Sequence, residues 1–570
     1  MNGADALVKM LCDYEVKAIF GVPGDTNVAL YTALAAAAGR IRHVMCRDER
    51  SAVFAADAYA RLSGRPGVAE CPSGAGSMYS LPGIAEAHES AVPVILITND
   101  IPLTGEGRGM ITELDNARLF EPITKLSVQI KSTNKIPETV RRAFRSATSG
   151  KPGAVQLTIP EDVFHHEIDL DKVSLHVESE CDHYPAYRSR ASGDGLNALA
   201  RLISESERPL LVAGGGVNQS HAQSALQMFA AKARIPVVTT ITGQGIMSDE
   251  HELAIGVIGD NGFHPHALRA AEQADLLVYV GCKMGSVATI GWTFPTKKHG
   301  RRIAQVDIDP AVLGNNSQNV LSIAGDARLV LEELLERCPD GSSTRQEWID
   351  LLNRHRAEFW TLNAAQLASS ESPIRPQRVV AELNKRLAKN AVILSDAGTA
   401  TPYLTRFLRL EGGRSRLIIP RAFGGLGYAI PAVIGAWFAR PDVRPIATFG
   451  DGSMGMTAGE LETLARLHIP AVLIHFNNGC FGWIKALQRV RKCPEIFSVD
   501  FTPGDMAAVA RAFGLQGFRV ESADDLPVAL DAAFACEGPA FIDVVCESIA
   551  DVMPPVVSWM RASGKDPVEA

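Results

Sequence analysis

Pro445-Ile446-Ala447-Thr448-Phe449-Gly450-Asp451-Gly452-Ser453 and, further on, Ala471-Val472-Leu473-Ile474-His475-Phe476-Asn477-Asn478 decide how the chain is read. Each opens with an apolar run of buried-strand length, and Met456 to His468 between them reads as a helix. Strand, helix and strand in that order make a parallel pair. Both strands then deliver their ends to one carboxyl edge, where ligands bind and a helix N-terminus receives phosphate. Asp451 brings one carboxylate to that edge, and Asn478, 27 positions later, one carboxamide. The backbone carbonyl of Cys480 follows as a third oxygen. With two diphosphate oxygens and a water, these donors complete the octahedron that Mg2+ prefers, so the spacing predicts a metal-diphosphate site with Asp451, Asn478 and Cys480 as ligands. Gly-Asp-Gly alone reads as a turn and Asn-Asn alone as a loop. Both at strand ends, with a helix between, read as a site.

Outward from this pair the chain keeps the same alternation. Residues 1–165 carry short strands such as Ala18-Ile19-Phe20, Val92 to Thr98 and Ala154 to Pro160, and form one doubly wound unit. Polar sequence from His165 to Gly193 reads as a linker. A second unit spans 194–340, with strands at Pro209 to Ala213, Ile235 to Thr239, Leu276 to Val280 and Ile303 to Val306, and a Gly214-Gly215-Gly216 turn after the first. The charged stretch Arg337 to Ser372 reads as a second linker, 374–548 as the third unit, and 549–570 as a short tail. The predicted fold is therefore α/β, with three doubly wound parallel-sheet domains.

Composition bounds the function. The chain has 570 residues, 46% hydrophobic, with a formal charge of −8, so it buries several cores and carries no basic footprint for nucleic acid. Ten cysteines without a CxxC pair read as reduced thiols in a cytoplasmic protein. The opening Ala4 to Met10 reads as an amphipathic helix and not as a secretory signal. The longest apolar stretch, Tyr428 to Ala439, is too short to span a bilayer, so no membrane partner is expected.

The Gly-Asp-Gly to Asn-Asn block resembles the cofactor motif of thiamine diphosphate (ThDP) enzymes. The order of the three blocks resembles the pyrimidine-binding, central and diphosphate-binding domains of the acetohydroxyacid synthase and pyruvate decarboxylase superfamily, over nearly the whole chain, and the pattern is nearest to acetolactate synthase-like large subunits. That resemblance implies ThDP and Mg2+ as cofactors. It also implies a homodimer or homotetramer with active sites at the subunit interface. The segment Glu49-Arg50-Ser51-Ala52-Val53-Phe54-Ala55-Ala56-Asp57-Ala58-Tyr59-Ala60-Arg61 resembles the family pattern HExxxxxAADGYAR, with Asp48 in place of the His and Ala58 in place of the Gly. Glu49 takes the position of the acid that activates the cofactor through its pyrimidine nitrogen; a buried carboxyl with a raised pKa suits that task. Asp48 is the competing acid, and the offset to Asp57 selects Glu49. Gly424-Gly425-Leu426-Gly427-Tyr428 resembles the segment in which an apolar residue, here Leu426, wedges the cofactor while the Gly424 carbonyl accepts from its amino group. Gly398, Thr399 and Ala400, after the strand Ala391 to Leu394, would line the diphosphate with Gly450, Gly452 and Ser453. The family's Gln-His is Thr-Ala here, which shifts the contacts toward backbone N–H groups.

The reaction is left between two outcomes. Phe20 to Asn27 resembles the decarboxylase version of the first loop, which makes Asp25 a candidate catalytic residue for non-oxidative 2-oxo acid decarboxylation. The decarboxylases' glutamate after the second Asn is Ile484 here, however, and their His-His pair corresponds to the region of Ile111; His165-His166 falls outside it. Phe481 to Gln488 resembles acetohydroxyacid synthase instead, although the synthase's acceptor-pocket tryptophan is Leu487 and its Phe-Gln pair is Ile111-Thr112. Ile111, Thr112, Trp483, Ile484 and Leu487 are the substrate-pocket candidates, with Trp483 serving as a wall or as core. The resemblance thus favours a carboligase that decarboxylates a 2-oxo acid and joins the product to a second carbonyl. A catalytically silent ThDP-binding subunit is the remaining alternative, and the presence of Glu49 counts against it. A non-redox FAD is left open by Val306-Asp307-Ile308-Asp309-Pro310, a loop shared with flavin-free relatives, and is not favoured.

Overall fold

The computed structural model describes residues 1–296, 300–341 and 344–568. Residues 342–343 of the predicted second linker and 569–570 of the predicted tail lie outside them. Three six-stranded parallel sheets carry the chain. The first holds β1 (Ala18–Gly21), β2 (Arg42–Met45), β3 (Gly67–Cys71), β4 (Val94–Asp100), β5 (Leu126–Gln129) and β6 (Val155–Pro160), in the order β2-β1-β3-β4-β6-β5. The second holds β7 (Pro209–Ala213), β8 (Val237–Thr240), β9 (Ala254–Ile258), β10 (Leu276–Val280), β11 (Arg302–Asp307) and β12 (Leu321–Ala324), in the order β12-β11-β10-β7-β8-β9. The third holds β13 (Val392–Ser395), β14 (Arg416–Ile418), β15 (Pro445–Gly450), β16 (Val472–Asn477), β17 (Gln516–Val520) and β18 (Ala540–Val545), in the order β14-β13-β15-β16-β18-β17. Central strands such as β4, β10 and β16 are buried along their whole length, as parallel strands covered on both faces must be.

The first and third sheets share one strand order, and each reverses direction beside its first strand. Such switch points open a crevice at the carboxyl edge. In the third sheet the switch lies between β13 and β15, which puts the loop after Ser395 next to Gly450. In the second sheet it lies between β7 and β10 and is filled by main chain. Gly216 N donates to Gly281 O at 2.9 Å, and a Cβ on Gly214 would come within 2.3 Å of that oxygen. The glycine run is therefore explained by strand-end packing.

The backbone forms two compact units, one of Met1–Tyr187, Pro420–Pro445 and Gly455–Ala471, the other of Arg188–Ile419, Ile446–Met454 and Val472–Ala570. In the first, the helix Ala429–Ala439, apolar on every side, lies against the helix Glu49–Ser63 so closely that a Cβ on Gly435 would stand 1.9 Å from Ala55 O. The longest apolar stretch is thus a buried core helix, and no helix among the described residues is long and apolar enough to cross a membrane.

Three readings need correction. The helix predicted over Met456 to His468 is two helices, Asp451–Thr457 and Glu460–Arg466, and the first begins at Asp451 itself. The stretch read as a linker from Arg337 to Ser372 contains a 24-residue helix, Thr344–Leu367, whose Trp348, Ile349, Leu352 and Phe359 are buried; dense charge on its outer face masked the stripe. The segment read as a short tail contains the helix Val557–Ala562 and buries Val556, Val557, Trp559 and Met560 in the core.

Candidate active site

The candidate residues divide between the two units. In the first, Asp48 is the N-cap of the helix Glu49–Ser63, its side chain accepting from Arg50 N at 2.8 Å and Ser51 N at 3.4 Å. Its Oδ1 is thus committed to the helix end, and its Oδ2 lies 3.5 Å from Arg50 Nη2. Glu49, one residue on, is only 9% exposed, and among the described residues no other group donates a hydrogen bond to its carboxylate. A Cβ on Gly76 would fall 2.9 Å from Glu49 Oε1, so glycine keeps that side of the acid open. Burial pushes the Glu49 carboxyl above the usual range, and the charges of Asp48 and Glu70 push the same way against its own backbone N–H.

Asp25 is exposed at the head of the short turn Asp25–Asn27. Asn27 ties this turn down: it accepts from Gly24 N at 2.8 Å and donates to Val22 O at 3.1 Å and Glu70 Oε2 at 2.8 Å. Glu70, fully buried on β3, also accepts from Asn99 Nδ2 and Tyr31 OH and lies 3.2 Å from His43 Nε2. The sequence reading missed it; an acid inside the apolar strand Gly-Val-Ala-Glu-Cys was the available signal. Ile111 is 83% exposed. Thr112, at φ +66°, accepts from Ser73 Oγ at 2.7 Å, which links its loop to the turn after β3. Gly424 is exposed and Leu426 half-buried.

In the second unit the strand ends converge as the spacing required. Asp451 Oδ2 accepts from Asn478 N at 3.0 Å. One end of the Asn478 carboxamide lies 3.1 Å from both Asp451 Oδ2 and Cys480 O. With nitrogen there, the amide donates to two oxygens. With oxygen there, three oxygens face one another, a hard donor set that suits Mg2+. A Cβ on Gly482 would lie 3.0 Å from both Asn478 Nδ2 and Thr399 Oγ1, and one on Gly450 3.8 Å from the latter, so Thr399 borders the same point. Gly398, at φ +130°, turns the chain into the helix Ala400–Phe407. Gly452 leaves room for the Phe481 ring, which a Cβ would meet at 2.4 Å; Ser453 is buried.

Beneath Asp451 runs a buried polar line that the sequence did not announce. Asp543 accepts from Arg519 Nη1 at 2.8 Å, Met506 N at 3.0 Å and Asn477 Nδ2 at 2.9 Å, and contacts His475 Nδ1 at 2.9 Å. His475 Nε2 stands 3.5 Å from Asp451 Oδ1. Burial pushes Asp451 upward, and His475 and the Asn478 N–H offset this only in part. Burial acts on Asp543 too, but His475 and Asn477 more than offset it and hold that carboxyl low. On the helix Gly482–Val490, Trp483 packs against Trp559 with ring centroids 4.4 Å apart, and Leu487 packs on the same core. Ile484 is 46% exposed. Trp483 is partly buried against this core.

An isolated acid at one helix start and a cluster of hard oxygens at another suit proton transfer and a metal-bound diphosphate, respectively. Family models of the thiamine pyrophosphate enzymes match the chain three times: the N-terminal TPP binding domain over 1–119, the central domain over 196–334 and the C-terminal TPP binding domain over 396–544. A probable acetolactate synthase large subunit of Methanocaldococcus jannaschii is 34% identical over 98% of this chain and 93% of its own length. Acetolactate synthase of Arthrospira platensis is 31% identical (98% and 96%), and the large subunit of Corynebacterium glutamicum is 31% identical (98% and 88%). The chain belongs to the thiamine pyrophosphate enzymes, on their acetolactate synthase-like branch.

Proposed function

We propose that this ThDP-dependent enzyme decarboxylates a 2-oxo acid and joins the resulting acyl unit to a second carbonyl. The reading assigns Asp451, Asn478 and the Cys480 carbonyl to Mg2+, and the backbone of Gly398 to Ala400 and Gly450 to Ser453 to the diphosphate. When bound, the cofactor supplies a carbon nucleophile and an electron sink for decarboxylation. Glu49 holds or moves the proton at the pyrimidine nitrogen, for which a buried carboxyl with a raised pKa is suited. Leu426 and the Gly424 carbonyl orient the cofactor. The domains are taken as 1–165, 194–340 and 374–548, with 549–570 as a terminal segment.

The observation that carries ligation over simple decarboxylation is the side-chain chemistry at Ile111 and Ile484. Both are exposed and aliphatic, and neither can protonate the decarboxylated product. A second carbonyl then has time to react. Asp25 supports the runner-up, a 2-oxo acid decarboxylase, because its carboxylate is exposed on the same loop pattern. Turnover of pyruvate and related 2-oxo acids, followed with and without acceptor aldehydes or ketones, separates the two: ligated product should rise with acceptor at the expense of free aldehyde. Aldehyde formed at one rate whatever the acceptor would establish the decarboxylase.

The same proposal places the enzyme in the cytoplasm as a homodimer or homotetramer with shared active sites. Ten free cysteines support a reducing compartment, and exposed apolar residues such as Met78, Tyr79 and Phe423 support a subunit contact. No flavin is assigned, because the loop Val306 to Pro310 that leaves it open is shared with flavin-free relatives.

A further inference from the structure

The motif tail that aligned Glu49, namely Asp57 and Arg61, performs a different task in the first unit. Arg61 forks onto Asp57, with Nε to Oδ2 at 2.7 Å and Nη2 to Oδ1 at 3.1 Å, and Asp57 Oδ2 accepts from Tyr428 OH at 2.6 Å. Arg61 Nη2 also lies 3.7 Å from Glu86 Oε1. Glu86, on the helix Ala75–Glu89, is fully buried. Its Oε2 accepts from Phe423 N at 2.8 Å and Gly424 N at 3.2 Å; its Oε1 accepts from Ala422 N at 3.3 Å and Ser90 Oγ at 2.7 Å. Three consecutive main-chain N–H groups converging on an anion form the kind of nest that usually holds a ligand. Here the anion is the protein's own side chain.

The segment is thus anchored at both ends: residues 422–424 hang on Glu86, and Tyr428 hangs on Asp57. Between the anchors Gly424 and Gly427 adopt φ +78° and +84°, and a Cβ on Gly425 would touch Phe54 at 3.4 Å. We propose that Glu86 is a positioning residue that fixes the backbone path of Gly424-Gly425-Leu426-Gly427 before the cofactor arrives, so that the Gly424 carbonyl and the Leu426 wedge are preorganised for it. This rests on the assignment of that segment to the cofactor. Because Glu86 grips main chain and not side chains, it sets where the segment runs without constraining which residues it presents.

Glu86→Gln tests this in the full chain. Glutamine keeps the shape but turns one acceptor into a donor. In the cofactor-free protein, amide hydrogen exchange over 420–428 should quicken at least tenfold while 49–63 stays as protected as before. With saturating ThDP and Mg2+, hydrogen–deuterium exchange at cofactor C2 should slow at least tenfold, lowering kcat more than it changes KM for the 2-oxo acid. Unchanged protection over 420–428, or unchanged C2 exchange despite lost protection, overturns the proposal. Leu426→Ala is the control: if it too leaves C2 exchange unaltered, the assignment of the segment to the cofactor has failed; if it slows exchange while Glu86→Gln does not, only the role of Glu86 has. Should Glu86→Gln not fold, Glu86→Asp keeps the charge but shortens its reach to the Ala422, Phe423 and Gly424 N–H groups, with the same expected directions and the same overturning results.

Discussion

Glu49 and Asp451 invite comparison because the fold treats them alike. Each is the first residue of a helix, each follows a parallel strand, and the first and third sheets share one strand order. Burial pushes both carboxyls upward. They differ in what surrounds the oxygens. Asp451 meets the Asn478 N–H, the Asn478 carboxamide, which also reaches the Cys480 carbonyl, and, from below, His475. Glu49 meets none of this, and the neighbouring charges, Asp48 and Glu70, share its sign. Oxygen donors gathered around an acid suit a cation, whereas burial beside like charges favours the protonated form of the acid. One topology therefore yields two chemistries through second neighbours.

The sharpest break in this comparison is Asp451→Ala. If Asp451 is the charged metal ligand, ThDP retention at fixed Mg2+, measured by calorimetry, should fall by more than the roughly 10- to 100-fold typical of losing a residue that only supports a ligand. Asn478→Ala should lose less. Unchanged affinity in the Asp451 variant would remove the metal from this site.

Glu49→Gln should spare cofactor binding and cut turnover by about 10²- to 10⁴-fold, as loss of a general acid or base does. Normal turnover in this variant would dissolve the contrast between the two acids.

Asp100, buried at the end of β4, offers a pH measurement on the same sheet. Burial raises its carboxyl to about 6, against the bond accepted from Ile101 N at 2.9 Å and the neighbouring Asn116 amide. A raised folded-state pKa means that its stabilising contribution is full below the unfolded value near 3.8 and is lost as pH rises through about 6. Relative to wild type, Asp100→Asn should therefore gain stability between pH 4 and 7, by at most ~3 kcal/mol. Denaturant melts across that window check it, and a constant difference would contradict it.

The smallest effect belongs to Asp48→Ala. Removing the N-cap should cost about 1 kcal/mol of stability and leave turnover near wild type. Lost turnover with intact stability would transfer the catalytic role to Asp48 and redraw the first-unit site.

Much of this was legible in the sequence. The runs ending at Gly450 and Asn477 are β15 and β16, and the apolar runs at Pro209 to Ala213 and Leu276 to Val280 are β7 and β10 residue for residue, because a fully buried parallel strand writes its burial into consecutive side chains. The helix Thr344–Leu367 was lost because 24 residues of mixed charge blur a one-sided apolar stripe. Glu70 went unnoticed because a single acid in a strand has no period.

By itself the sequence determined where the strands before Gly450-Asp451 and Asn477-Asn478 lie and which polar residues stand at their ends, since side-chain hydrophobicity reports burial locally. Tertiary structure alone decided that His475 and Asp543 lie beneath Asp451, and that Glu86 receives three N–H groups from residues 422–424. The reason is physical. Main-chain donors are the same in every residue, so the partner of a buried carboxylate is fixed by the path of the chain, and no residue type in the sequence records it.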